Sequence, residues 1–186
     1  MATHKLHQSR EVFYFVTFTC YRWLPLIERS DTYQSVYKWF HCAQKDVSVT
    51  GYAIMPNHVH VLLYLHRTAK NLSTIVGDGK RFIAYDIIKG LMQKKSHNLL
   101  QKLSAGVSPS KRKSGKKHRV FRSSFDAKIC DTENDVVDVL DYIHGNPVSK
   151  GWSLVEDCTD YKHSSAAFYL RGREGLFPIV DYRDIC

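Results

Sequence analysis

The chain is predicted to fold as an α+β domain, an antiparallel sheet backed by helices, on three observations. Segments with the alternation or the β-branched and aromatic enrichment of strands occur at 11–20, 47–55, 58–65 and 124–130. Between and after them lie segments whose apolar residues repeat at helical spacing. At 186 residues, with 44% hydrophobic and 12% aromatic content, the chain has the size of one domain with a real core.

The first strand carries Val12, Phe13, Tyr14, Phe15, Val16 and Phe18 and reads as central. Asp31 offers an N-cap, and Tyr33, Val36, Tyr37 and Phe40 give an amphipathic helix over about 32–44. Val47, Val49, Tyr52 and Ile54 mark a second strand. Pro56-Asn57 turns it into a third at 58–65, so the two pair as a hairpin. Asn71 or Ser73 caps a second helix running towards Lys95, through Ile75, Ile83, Ile87 and Leu91, with Gly77 and Gly79 weakening its first turn. Its solvent face is basic, with Lys80, Arg81 and Lys89. After a short strand at 124–130, Thr132 and Asp135 open a last helix with the apolar stripe Val136, Val139, Leu140 and Ile143. The first six elements of this order, β-α-β-β-α-β-α, match the ferredoxin-like or split βαβ arrangement, with the last helix and a C-terminal extension at about 147–186 added to it.

No run approaches the roughly 18–20 apolar residues that span a bilayer, and Met1-Ala2-Thr3-His4-Lys5 lacks the apolar core of a secretion signal, so a cytoplasmic protein without membrane contact is expected. The five cysteines (20, 42, 130, 158 and 186) form no Cys-x-x-Cys pair and suggest neither a disulfide framework nor a zinc ribbon. Net charge is +9, and the segment 101–122 alone carries eight basic residues and no acid: Lys102, Lys111, Arg112, Lys113, Lys116, Lys117, Arg119 and Arg122. Serine, glycine and proline punctuate it, so it reads as a mobile basic arm. On a basic protein such an arm favours a nucleic-acid partner. Arg10, Arg22 and Trp23 are further candidates for contact.

Within the third strand, His58 and His60 are one residue apart, so both imidazoles lie on one face, opposite Val59 and Val61. Two converging imidazoles are half of a divalent metal site. On the last helix, Asp135, Asp138, Tyr142 and Asn146 share a face turned away from the core stripe, which presents Tyr142.

Read together, the block Met55-Pro56-Asn57-His58-Val59-His60, the block Tyr142-Ile143-His144-Gly145-Asn146-Pro147-Val148, Trp152 and the stretch 161–165 resemble the HUH single-tyrosine transposases, in the subgroup associated with repetitive extragenic palindromes. The resemblance covers nearly the whole chain. It implies a ferredoxin-like nuclease-ligase that recognises single-stranded or hairpin DNA and cuts one strand through a 5′-phosphotyrosine, leaving a free 3′-OH. Carried over by residue, Tyr142 matches the nucleophile, His58 and His60 the metal-binding pair, and Asn146 a third ligand, with Mg or Mn as the metal and no nucleotide cofactor. Asn146 precedes Pro147, which biases it away from helical geometry, and Asp138 is the alternative ligand. Relatives carry Trp-Gln where this chain has Val120-Phe121-Arg122, and a histidine where it has Ala127 or Lys128, so substrate contacts there are expected to differ. The basic arm and Lys80, Arg81 and Lys89 are expected to hold the DNA backbone.

Three other readings share these residues. They are a domesticated protein that binds or nicks palindromes without transposing, an RRM-like binding module stacking bases on Phe13, Tyr14, Phe15 and Phe18, and a metal hydrolase in which Tyr142 is incidental. Whether the chain is a monomer or a homodimer is left open by the apolar pattern.

Overall fold

Four strands, β1 (Val12–Thr19), β2 (Val47–Ile54), β3 (His58–Leu65) and β4 (Asp126–Cys130), form one sheet in the computed structural model, which describes residues 11–185. Arg10, the five residues read for a secretion signal, and Cys186 lie outside the described residues. The helices are α1 (Leu26–Ser30), α2 (Tyr33–Ala43), α3 (Leu72–Gln93), α4 (His97–Ala105), α5 (Pro109–Lys113), α6 (Glu133–Gly145) and α7 (Ala166–Arg171). Sheet order is β2-β3-β1-β4, with every neighbouring pair antiparallel. Helices α2 and α3 each connect two parallel strands across an intervening one, which is the ferredoxin-like topology.

Strand alternation divides the apolar residues between two layers. Tyr14, Val16 and Phe18 of β1 and Val59, Val61, Leu63 and Leu65 of β3 enter one core with Val36 and Phe40 of α2 and Ile75, Ile83 and Ile87 of α3. Phe13, Ala53 and Leu62 face the other way and pack with Val136, Val139, Leu140 and Ile143 of α6. The last helix thus covers the second face of the sheet. It starts from a capping box in which the Thr132 hydroxyl accepts from Asp135 N–H and the Asp135 carboxylate accepts from Thr132 N–H. This layering removes the RRM-like alternative: Phe13, Tyr14 and Phe18 are buried under helices, and Phe15 is half-buried beside Tyr142.

Helix α6 sits this close to the sheet because β2 carries Gly51, at a register shift opposite β3. A Cβ at Gly51 would lie 2.3 Å from Leu140 Cδ2. Gly51→Val is expected to cost about 1–3 kcal/mol by overpacking, read as a lowered Tm, and an unchanged Tm would show that α6 is not seated there.

Two expectations are corrected. Glycine does not fray the start of α3, which begins at Leu72 with the Asn71 side chain accepting from Thr74 N–H. At Gly79 a Cβ would stand 2.5 Å from the Trp39 indole, so the glycine makes room for a core tryptophan that donates to Ile75 O at 3.2 Å. The segment 101–122 is not an unstructured arm. Leu99, Leu100 and Leu103 of α4 pack on the core, Pro109 starts α5, and the return to β4 is held by Arg119 N–H to Leu103 O at 2.9 Å.

The C-terminal extension is part of the fold. It runs along the open edge of β2, with Ile54 N–H donating to His163 O, Ser165 N–H to Tyr52 O and Val180 N–H to Val49 O. His163 is buried, stacked on Tyr33 at 3.9 Å with the rings 6° from parallel, and its Nδ1 is 2.9 Å from Tyr37 Oη. Among the described residues, Cys20, Cys42, Cys130 and Cys158 are free thiols, and no helix is long and apolar enough to cross a membrane.

Candidate functional site

Three strands and one helix bring the sequence-predicted residues together. His60 lies between Ala53 of β2 and Thr17 of β1, and His58 pairs with Thr19. Both rings face α6, are buried at 3–4% exposure, and meet with their Nε2 atoms 2.9 Å apart. Tyr142 is 55% exposed, and its ring stands edge-on to His60 at 5.3 Å and to Phe15 at 5.7 Å. One turn on, the Asn146 side chain is close enough to both histidine rings to favour their protonated forms, and it donates from Nδ2 to Tyr142 O at 3.2 Å. Asn146 keeps helical dihedrals despite preceding Pro147, because the chain passes directly from α6 into a 3₁₀ turn over Asn146–Val148 with the proline in its first positions. Asp138 is exposed on the same helix and acts electrostatically on Lys128, not on the histidines.

The hydrogen-bond shell fixes where the imidazole lone pairs point. Asn57 Nδ2 donates to Trp23 O at 2.9 Å, so its Oδ1 accepts from His58 Nδ1–H at 2.5 Å. His58 Nε2 therefore carries a lone pair. His60 Nδ1 is 2.7 Å from Thr17 Oγ1, a hydroxyl that donates or accepts and so supports either tautomer. The 2.9 Å contact between the Nε2 atoms requires a hydrogen on His60 Nε2 or a cation shared by both lone pairs. Two nitrogens bound at about 2.1 Å and at right angles on one cation would stand ~3.0 Å apart, close to the spacing found. With the Asn146 carboxamide this makes a neutral N,N,O donor set that could hold a divalent cation. No cluster of three His, Cys, Asp or Glu occurs among the described residues, and a third donor at the histidine pair would be the Asn146 amide.

Burial keeps these donors unprotonated. Desolvation lowers His58 to about 4 and, with the neighbouring His58 adding to it, His60 to about 3, while Asn146 opposes both shifts. His144, bonded through Nε2 to Ser165 Oγ at 2.8 Å, and His163 are each lowered to about 4, also chiefly by desolvation. All four titrate below the ordinary value near 6.5, so the unfolded chain binds the extra protons. Their contribution to stability is complete above about pH 6.5 and is lost as pH falls towards 4. The Tm measured in chelator-containing buffer is expected to fall steadily across that window, and a flat profile would contradict the burial of these rings.

Sequence reasoning missed Asn57, which reads as a turn residue, and Thr17, hidden in a run of strand formers. Strand alternation places Thr17 on the same face as Phe13 and Phe15, and this was the available signal.

The basic residues separate into groups. Lys80, Arg81, Lys116, Lys117 and Arg122 line a groove of about 970 Å³ between α3 and residues 114–125, with Ala84, Ile88, Val120 and Phe121 also in its lining. No acid lines it. Lys80 donates to the carbonyls of Arg122 and Ser124, and burial lowers it to about 8. Arg122 N–H donates to Thr19 O, which ties the groove wall to the strand position paired with His58. Arg112 is spent on Ser104 O, while Lys89, Lys111 and Lys113 are exposed and outside the groove. Arg119 lies over the Tyr21 ring at 4.8 Å.

No family model and no curated protein matches the chain. Among solved structures, it is similar to a REP-associated tyrosine transposase bound to a REP hairpin, with 17% identity and a TM-score of 0.60 over 97% of this chain and 93% of that one. A second structure, from Deinococcus radiodurans R1 and assigned only provisionally as a transposase, shares 11% identity at a TM-score of 0.36 over 78% of this chain and 97% of that one, a likeness too low to argue from. The first establishes that the chain has a transposase-like fold.

Proposed function

We propose that this chain is a metal-dependent single-strand DNA endonuclease and strand transferase of the HUH single-tyrosine transposase family, acting at hairpin DNA. The observation that carries the reading is the packing of an exposed tyrosine ring on His60, whose Nε2 meets that of His58. The match to a transposase bound to a REP hairpin supports it.

In this reading the Tyr142 Oη–P bond forms as the P–O3′ bond breaks. The phenolic proton leaves Oη, and the departing 3′ oxygen becomes a free hydroxyl. The 5′-phosphotyrosine keeps the phosphodiester energy for rejoining, so no nucleotide cofactor is needed. His58, His60 and Asn146 would hold a divalent cation such as Mg or Mn, which when bound would polarise the scissile phosphate and offset its developing charge. Asn57 holds the His58 imidazole in the tautomer that leaves Nε2 free, and Thr17, by accepting from His60 Nδ1–H, would support the same tautomer in His60. The acid-free groove supports an extended contact with the phosphate backbone.

The test is to incubate the protein with labelled hairpin DNA carrying single-stranded flanks and Mn, then resolve the products on a denaturing gel. A protein–DNA adduct is expected. Cut DNA without an adduct would instead support the hydrolase reading, with Tyr142 incidental.

A further inference from the structure

Trp23 stands at the edge of the site, and neither the core nor the proposed chemistry uses it. Arg22 and Trp23 are consecutive residues in the left-handed region, at φ +53° and +57°, where side chains other than glycine are strained. The turn is tied to the histidine-bearing hairpin at two points. Asn57 Nδ2 donates to Trp23 O, and Cys20 N–H donates to Asn57 O at 2.8 Å. What this strained, tethered turn presents is an indole that is 55% exposed, with its ring centroid 5.8 Å from His58 in a T-shaped contact.

We propose that Trp23 is a stacking platform for one unpaired base of the DNA strand, next to the scissile phosphate. The inference rests on the reading that the chain cuts single-stranded DNA, and it names a feature of the strand that is recognised. Arg22 and Arg119 lie over the two-residue-distant Tyr21 ring, at 5.4 and 4.8 Å. An aromatic face beside guanidinium groups is the combination that single-stranded nucleic acid uses, the base stacking and the flanking phosphates pairing with the cations. An apolar protein surface would match the indole and leave those guanidiniums unpaired. Duplex DNA would match the guanidiniums and keep its bases away from the indole.

The experiment measures binding by fluorescence anisotropy, with a labelled hairpin oligonucleotide carrying single-stranded flanks, on a Tyr142→Phe background so that scission does not intervene. Trp23→Ala retains the backbone carbonyl that holds Asn57. It is expected to weaken binding by about 10-fold or more, while Trp23→Phe stays within about threefold. Replacing flank bases one at a time by abasic sites should reveal one position where the tryptophan protein loses the same factor and Trp23→Ala loses nothing further. Equal affinity of Trp23→Ala, or the absence of any such coupled position, overturns the proposal. Should Trp23→Ala melt early, Trp23→Phe and the abasic scan of the tryptophan protein decide alone: no flank position with a loss overturns it. Failure of the DNA-cutting reading is distinguishable, because it is a missing adduct in the native protein whatever the abasic scan gives.

Discussion

Tyr142→Phe is expected to abolish the protein–DNA adduct and to reduce strand cleavage by at least ~10³-fold, with no measurable change in Tm. Loss of a covalent nucleophile removes the step itself, and single knock-outs of nucleophiles in enzymes that act through them cost on the order of 10³–10⁶ in rate. The fold should not respond. Tyr142 is 55% exposed and its ring contacts are edge-on to His60 and Phe15, all of which phenylalanine reproduces. Hairpin binding should also persist, since Tyr142 is not among the residues that line the basic groove. An adduct that survives in Tyr142→Phe would assign the chemistry to another residue.

His60→Ala is expected to lower the affinity for Mn by at least ~100-fold, read by calorimetric titration, and to eliminate cleavage at Mn concentrations that saturate the native protein. Partners that only orient a ligand cost about 10–100-fold when removed, so a direct donor should reach or exceed the top of that range. Asn57→Ala provides the graded comparison. It leaves both imidazoles but frees His58 Nδ1 from its acceptor, and a loss of about 10–100-fold is expected. Native Mn affinity in His60→Ala would remove the histidine pair from the metal site.

Much of this arrangement was legible because periodicity is a local property. The strand pattern of β1 and β3, the capping box at Thr132 and the His58–His60 spacing each follow from residues a few positions apart. The placement of Asn146 one turn beyond Tyr142 was legible for the same reason, although its proline neighbour suggested another backbone. What was not legible depended on partners distant in sequence. Gly79 reads as a helix breaker until Trp39 is known to occupy its missing side chain. Residues 101–122 read as a mobile arm on their serines, glycines and proline, whereas Leu103, with Leu99 and Leu100 just before it, is fixed by a core assembled elsewhere. Asn57 acquires its role only when a strained turn more than thirty residues earlier supplies the carbonyl that orients it.

The C-terminal segment has a consequence for the order in which the molecule becomes competent. Helix α6 carries Tyr142 and leads directly into Asn146, yet its buried His144 is anchored by Ser165, and Ile54, just before the histidine turn, is held by Tyr161 Oη and by the backbone of His163. Val180 then seals β2 further along. A ribosome therefore releases every residue of the donor set before it releases the residues that hold the helix in register. The site is expected to order only once residues 161–180 have emerged.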